Sequence, residues 1–299
     1  MHARLLAWLL PPRTMLRTAA TRRIAPAFTR CRSQFNSQAA FQFTDPPNPK
    51  WTYGDGASSQ WLDPTIPRKS FDFSKLSTKD TYTLLTSAIV PRPIAFVSTL
   101  SADGVPNLAP FSYFSMVGHI PPLVSVSFSL SQKRSKHSRE NIVATGQFTV
   151  NIISEAFAEA ANCTAAEAPA DVDEWLLSGL TMTPSTLVKP ACVMESAVSL
   201  ECELYFLKDL SPPDQPDLIT TTLAVGLIKK AHVHESVLDA EGSAVDVVKL
   251  RPVSRLGGTT YARLLEGFDL ERTSWKAARP AYETILRGTT SKGSPSESS

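Results

Sequence analysis

Alternation of apolar and polar residues dominates the middle of the chain. Residues 197–207 alternate cleanly, and every second position between 219 and 227 is Ile, Thr, Leu, Val or Leu. A period of two is typical of strands with one buried face, whereas the continuous apolar run 94–100 is typical of a strand buried on both faces. Further strands are predicted over 107–114, 123–130 and 148–153.

Helical patterns are short and lie between these strands. One helix is predicted to begin in the polar stretch 135–138 and to end at Gly146, because glycine commonly follows the last turn of a helix. Other short helices are predicted over 80–87, 155–162 and 172–177. Long alternating strands with few helices predict a mainly β fold, with an antiparallel sheet that is closed or nearly closed.

A proline-rich segment interrupts the pattern where the sheet begins. Residues 89–115 read IVPRPIAFVSTLSADGVPNLAPFSYFS and contain four prolines. Proline has no N–H to donate to a β-ladder, so neighbouring backbone groups become available to a ligand. With the hydroxyls of Ser112 and Ser115, this segment is suited to the edge of a flat heterocycle. An ordinary bulged edge strand explains the same residues equally well.

A basic cluster follows at the start of the predicted second helix. It contains Lys133, Arg134, Lys136 and Arg139, and Ser138 and Asn141 share one helix face nearby. Cations and hydroxyls at a helix N-terminus are suited to a phosphate, although a solvated basic loop is the alternative. Together, the proline-rich segment and the basic cluster predict a site for a flat, phosphorylated cofactor.

Charge is unevenly distributed along the 299 residues and divides the chain. Seven arginines and no acidic residue lie in residues 1–44, which are predicted to be a mitochondrial presequence leading to the matrix. A secretory signal or an untargeted tail in a cytoplasmic protein are the alternatives. The remainder has 23 basic and 28 acidic residues, so nucleic acid is not an expected partner. No stretch is long and apolar enough to span a membrane.

The other divisions follow from composition. Residues 45–79 are polar and rich in Pro and Gly but contain Trp51 and Trp61. Since burying tryptophan is strongly stabilising, we predict an arm that packs on the main domain or on a partner subunit. The main domain is predicted over 80–270, and residues 271–299 form a C-terminal extension that is disordered at its end.

Common catalytic and metal motifs are absent from the sequence. There is no GxGxxG after a strand, GxxxxGK[ST], HExxH or GxSxG, and three scattered cysteines downstream of the presequence form no CxxC pair. His232 and His234 share a strand face, but two ligands without a third are a weak metal signal, so no metal is predicted. Cys202 is predicted to be a small core residue. No catalytic residue is assigned.

The motifs taken together resemble the flavin reductase-like domain family. The resemblance is carried in order by VPRPIAFVST, NLAPFSYFS, KHSRENI, VDEWLLSGL, VKPACVMESAVSLECELY, VGLIKKAHVHESVL and RLGGTTYAR. The match is closest to the branch with flavoredoxins and the reductase component of nitrilotriacetate monooxygenase, and it covers residues 80–263. It implies an FMN-binding split β-barrel of Greek-key type, usually a homodimer with flavin at the subunit interface.

By position, the resemblance also implies which residues contact the flavin. Ser98 and Thr99 are expected near the flavin. Five residues are expected to flank the ring: Asn107, Ala109, Pro110, Phe111 and Ser112. Three are expected to approach the phosphate: Lys136, Ser138 and Asn141. His234 is implied near the flavin pocket, although a histidine at the barrel rim is the alternative. Arg92, between two prolines, is expected either to meet a phosphate or to brace a dimer.

The implied activity is hydride transfer from NADH or NADPH to FMN. Flavin chemistry belongs to the cofactor, which explains why no acid–base pair stands out in the sequence. A partner monooxygenase is a further expectation from the resemblance. The alternatives are a flavin-dependent monooxygenase or oxidase, a non-catalytic flavin-binding protein, and a split barrel that has lost flavin.

Overall fold

A computed structural model describes residues 41–57, 62–131, 136–166, 168–169 and 172–290. Its strands are β1 (Gln42–Phe43), β2 (Ala95–Leu100), β3 (Pro106–Phe111), β4 (Phe114–His119), β5 (Pro122–Ser129), β6 (Gln147–Ile152), β7 (Met182–Thr183), β8 (Cys192–Val193), β9 (Val198–Leu210), β10 (Thr221–Val233), β11 (Val253–Arg255), β12 (Tyr261–Arg263) and β13 (Glu266–Gly267). Its helices are α1 (Thr78–Ala88), α2 (His137–Thr145), α3 (Ala158–Cys163), α4 (Glu174–Ser178), α5 (Val247–Leu250) and α6 (Trp275–Thr290).

Seven of the described strands form one antiparallel sheet. Their order is β3-β2-β6-β9-β10-β5-β4, so β3 and β4 are its two edges. Yet β3 ends at Phe111 and β4 begins at Phe114. Three residue steps span at most roughly 10 Å. The sheet therefore curls until its two edges approach each other at this corner, which gives the nearly closed sheet that the alternating strands predict.

This corner corrects the prediction of one extended segment over 107–114. The chain bends at Ser112 and Tyr113, leaves the partner of β3 and pairs with β5 at the far side of the sheet. The apolar pattern does not reveal the bend, because residues on both sides of it belong to strands. The remaining predicted strands agree with the observed ones to within a few residues.

The sheet carries a hydrophobic cluster on each face. Val97 belongs to the cluster with Phe128, Ile142 and Phe148, whereas the adjacent Phe96 belongs to the cluster with Leu108, Phe157 and Trp175. Both faces of β2 are buried, which is why 94–100 is a continuous apolar run. The predicted core position of Cys202 is confirmed, since its side chain is fully buried in the first cluster.

Close packing in the first cluster requires glycine at position 226. A Cβ atom there would lie 2.4 Å from Cζ of Phe148, which is too close for any side chain. The register of β10 against β9 also shifts at this residue. The buried ring of Phe148 therefore occupies the space that a side chain on β10 would need.

The helix ends follow local sequence signals. The predicted stop at Gly146 is confirmed, because this glycine has φ of 68° and its N–H donates to the carbonyl of Ile142. Asp173 caps α4 by accepting from two backbone N–H groups. The predicted helix 155–162 is divided into a 3₁₀ turn, Glu155–Phe157, and α3.

The segments outside the sheet are partly ordered by short contacts. Strand β1 pairs in parallel with β13, so the predicted presequence 1–44 includes a strand that pairs with the C-terminal part of the chain. Trp51 is half exposed and donates to the carbonyl of Gly56, while Trp61 and residues 1–40 lie outside the described residues. Helix α6 lies in the C-terminal extension, where no helix was expected. In the described part of the chain, no helix is long and apolar enough to cross a membrane.

Candidate functional site

A cavity of about 710 Å³ lies between the edge strand β3, the N-terminus of α2 and the segment that joins α3 to α4. This volume is within the range of small-molecule and cofactor sites. One wall is apolar, with a proline, a phenylalanine and several alanines, and the other carries polar and charged groups. Its described lining is Asn107, Ala109, Pro110, Phe111, Ser131, Lys136, His137, Ser138, Thr164, Ala165, Ala166, Ala168, Pro169 and Glu174.

The prolines of β3 sit where an edge strand would otherwise present N–H groups outward. Leu108 N–H points away from β2, since it donates to Oε2 of Glu174 at 3.4 Å. Backbone groups alternate sides along a strand, so Pro106 and Pro110 occupy the same outward register as Leu108. The outward edge of β3 therefore offers carbonyl oxygens to the cavity, and its one N–H between the prolines is taken by Glu174. It is also a poor template for pairing with another strand.

The polar wall is built on the first turn of α2. Lys136 is the N-cap residue, and among the described residues no side chain caps this helix end. Ser138 is nearly fully buried and its Oγ accepts from Nδ2 of Asn107 at 2.8 Å, which ties α2 to β3. A positive helix end with a lysine and a serine beside it is a favourable environment for an anion. Lys133 and Arg134 of the predicted basic cluster lie outside the described residues.

All ten residues named from the sequence lie in the described part of the chain, and six of them line this cavity. They are Asn107, Ala109, Pro110, Phe111, Lys136 and Ser138. The ring and phosphate halves of the predicted site are thus in one place, although they are about 30 positions apart in sequence.

The other four stand behind the cavity or beside it. Ser98 and Thr99 are buried in β2, and Oγ1 of Thr99 accepts from Nδ2 of Asn141 at 3.0 Å. Asn141 therefore turns toward the sheet and braces α2 against β2. Ser112 lies at the bend after β3, where its hydroxyl meets Nε of Arg92 at 3.5 Å.

Arg92 has a structural role that the sequence did not indicate. Its guanidinium donates to the carbonyl oxygens of Thr86, Ile89 and Leu256 at 2.6 to 2.9 Å. These contacts cap the C-terminal end of α1 and hold the turn after β11. Arg92 is 8% exposed, and its guanidinium is held mainly by backbone carbonyls of its own chain. Phosphate contact and dimer bracing stay predictions.

Glu174 is the cavity residue that sequence reasoning missed most clearly. Its side chain is 7% exposed, and burial raises the pKa of its carboxyl, against a lowering effect from the N–H of Leu108 and from nearby His137. Buried carboxyls with raised pKa values are concentrated at functional sites. The signal available in the sequence was a glutamate inside a short apolar helix, directly after the capping Asp173.

His232 and His234 lie away from this cavity. His232 Nε2 donates to Oε1 of the fully buried Glu201 at 2.5 Å, and both histidines line a separate pocket of about 290 Å³. Nδ1 of His234 accepts from the N–H of Ser236 in a short 3₁₀ turn. Within the described ranges, no three His, Cys, Asp or Glu side chains are grouped to hold a metal ion.

Comparisons with known proteins agree with this geometry. Residues 87–248 match the family model described as flavin reductase like domain. The chain is similar to nitrilotriacetate monooxygenase component B from Bacillus cereus, with 34% identity and a TM-score of 0.65 over 69% of this chain and 100% of that one. It is also similar to the 2-nitrobenzoate 2-nitroreductase of Pseudomonas fluorescens, with 28% identity and a TM-score of 0.61 over 69% and 98%.

A third solved structure bears on the fold. It is a flavin reductase with a split barrel domain from Shewanella frigidimarina, 23% identical, with a TM-score of 0.56 over 67% of this chain and 94% of that one. The curled seven-stranded sheet, whose edges meet at Ser112 and Tyr113, is accordingly a split β-barrel.

Proposed function

The chain belongs to the flavin reductase-like domain family, and from that premise we propose that it is an FMN-binding oxidoreductase that takes hydride from NADH or NADPH. The observation that carries the proposal is the cavity of about 710 Å³, whose lining combines apolar side chains with the N-terminal turn of α2. An apolar wall with a few convergent polar groups is the usual form of a cofactor site.

The residues present fit FMN at both of its ends. Pro110, Phe111 and the alanines of the α3–α4 segment are suited to a flat ring, and the outward carbonyls of β3 can accept from ring N–H groups. Lys136 and the N–H groups at the start of α2 suit the phosphate. Asn107 and Ser138 lie between the two ends, where they are suited to hydroxyl groups.

Bound flavin supplies the hydride chemistry itself. The task of this chain is to hold the ring against β3, to fix the phosphate at α2 and to leave one ring face open to the nicotinamide. None of these tasks requires a nucleophile or an acid–base pair, so no catalytic residue is assigned.

The names of the relatives support two candidate electron acceptors. We propose a homodimer that passes electrons from flavin to a partner monooxygenase, because the first relative is named as one component of such an enzyme. Direct reduction of a small aromatic substrate is the second candidate, supported by the relative named as a nitroreductase. A flavin-dependent monooxygenase or oxidase and a non-catalytic flavin-binding protein are the remaining alternatives.

We further propose that the protein acts in the mitochondrial matrix, with the cytoplasm as the alternative. The arginine-rich, acid-free composition of residues 1–44 supports this location. Fusing residues 1–44 to a fluorescent reporter tests the proposal, since a diffuse cytoplasmic signal would contradict it.

The absorbance of purified protein tests the proposed activity. We expect a flavin spectrum, or uptake of added FMN, followed by bleaching on anaerobic addition of NADH or NADPH. Colourless protein that does not bind FMN would refute the proposal. Reoxidation of the bleached flavin by an added nitroaromatic would favour the second candidate, and bleaching that requires an oxidisable substrate would favour a monooxygenase.

A further inference from the structure

The carboxyl of Glu174 faces the same cavity as the groups that suit a phosphate. It shares the cavity lining with Lys136, His137 and Ser138, and its Oε2 accepts a long contact from Leu108 N–H at 3.4 Å. A carboxylate in this place opposes an incoming phosphate by charge repulsion. A neutral carboxyl instead offers an O–H donor to the same oxygen-rich ligand.

The charged surroundings of Glu174 are few in the described part of the chain. Helix α2 contributes Lys136 and His137, and the N-terminus of α4 itself contributes Asp173. Strand β3 contributes the N–H of Leu108 and no charge. The described part of the α3–α4 segment contributes small and apolar residues to the lining. Among these described groups, Lys136 and His137 are the cations and Asp173 is the anion beside Glu174.

We propose that Glu174 determines how strongly the cavity prefers a phosphorylated flavin over an unphosphorylated one, because its carboxyl is neutral when the phosphorylated ligand is bound. This inference rests on the proposed flavin site. It makes binding of FMN coupled to proton uptake at Glu174, whereas binding of riboflavin is not coupled. The already raised pKa of this buried group lowers the cost of the uptake.

Three full-length proteins test the proposal: wild type, Glu174→Gln and Glu140→Gln. Glutamine keeps the shape and the oxygen that accepts from Leu108 N–H but removes the charge. Glu140 is the matched control, because it lies in the first turn of α2, just as Glu174 lies in the first turn of α4. It is half exposed, pairs with Arg139 and is not among the residues that line the cavity. Dissociation constants of FMN and riboflavin are measured from about pH 5 to about pH 9, a range that spans ordinary carboxyl and histidine titration.

We expect Glu174→Gln to bind FMN about tenfold more tightly than wild type at the alkaline end and equally at the acidic end, since one pKa unit corresponds to tenfold. Riboflavin should bind both proteins alike throughout. The FMN phosphate also changes charge in this range, but it is common to both proteins. Glu140→Gln should follow the wild-type profile.

A second measurement needs no variant. Titration calorimetry in two buffers of different ionisation enthalpy should show proton uptake when wild type binds FMN at alkaline pH, and none with riboflavin. The inference alone would be overturned if the ratio of the FMN dissociation constants of wild type and Glu174→Gln did not change with pH. It would also be overturned if Glu174→Gln changed riboflavin affinity as much as FMN affinity, or if Glu140→Gln changed FMN affinity as much as Glu174→Gln. Failure of every protein to bind any flavin would overturn the proposed function, and this inference with it.

Discussion

Two buried glutamates of this protein have opposite environments. Glu201 is fully buried and accepts from the backbone N–H groups of Thr186, Leu187 and Val188, the hydroxyl of Thr186 and the ring of His232. Burial alone would raise its pKa, but these hydrogen bonds outweigh burial and lower the pKa to about 2. Burial raises the pKa of Glu174, because it outweighs the hydrogen bonds from its own backbone N–H and from Leu108 N–H, the latter at 3.4 Å.

The difference separates a structural carboxylate from one suited to a ligand. A buried charge whose acceptor sites are all filled stabilises one conformation and has nothing left to offer a ligand. A buried carboxyl with a raised pKa, on the wall of a cavity, is suited to respond to what enters the cavity. By this criterion, Glu201 holds residues 186–188 against β9, and Glu174 belongs to the candidate site.

Removing the charge of Glu201 should have the largest effect. We expect Glu201→Gln to lower the free energy of unfolding by about 3 kcal/mol, because three backbone N–H groups and His232 lose their anionic partner. Urea denaturation measures the change. The matched control is Glu203→Gln on the same strand, whose exposed pair with Lys229 should contribute at most about 1 kcal/mol. A flavin-binding defect without loss of stability would break the comparison.

The contribution of the Glu201 carboxylate to stability should also depend on pH. The folded-state pKa of Glu201 is about 2 against an ordinary value of 4.5, so its contribution is complete above about pH 4.5 and is lost as the pH falls toward 2. Between about pH 4.5 and pH 2, we expect the free energy of unfolding to fall by about 3 kcal/mol more in wild type than in Glu201→Gln. Denaturation midpoints at several pH values test this, and parallel curves for the two proteins would assign acid sensitivity to other groups.

The phosphate end of the cavity should control affinity more than stability. We expect Lys136→Ala combined with Ser138→Ala to weaken FMN binding by about 10- to 100-fold, the effect of losing charge-assisted hydrogen bonds. Lys230→Ala, on an exposed part of β10, is the control for loss of a positive charge. Fluorescence titration of FMN measures the effect. Unchanged affinity would show that the phosphate does not bind at Lys136 and Ser138.

Asn141 should behave as a brace, with the smallest effect. We expect Asn141→Ala to cost about 1 kcal/mol of stability, because Oγ1 of Thr99 loses its buried donor. Its FMN affinity should change by less than about threefold, a difference well under 1.4 kcal/mol. A larger loss of affinity with unchanged stability would place Asn141 on the phosphate, as the family resemblance implies.

The proline-rich strand shows how far sequence reasoning extended. Pro110 was predicted to break the ladder, but β3 stays paired with β2 through Pro110 to Phe111, and only the outward edge of the strand is unpaired there. The sequence did not show that the backbone groups of Pro106, Leu108 and Pro110 all point away from β2. That direction depends on which side of β3 pairs with β2. The division of 107–114 into two strands was missed for a related reason, since β4 finds its partner in β5.

The histidines show the complementary limit. His232 lies on β10, but the strand ends at Val233 and His234 begins a 3₁₀ turn, so the predicted shared strand face is wrong. The partner of His232 lies 31 residues away on the neighbouring strand. That contact depends on the pairing of β9 with β10 and on the irregularity in their register near Ile228. A local pattern of two histidines has no information about a buried carboxylate across the sheet.

By itself, the sequence determined the β architecture, the ends of α2 and the two halves of the candidate flavin site. These features depend on local periodicity, on residues such as Gly146 and Pro110, and on short motifs. The tertiary structure alone decided that Glu174 lines the cavity, that Glu201 is saturated with donors and that Arg92 is engaged with backbone. Burial and hydrogen-bond partners are set by contacts between distant segments, so the two glutamates look alike until the chain is folded.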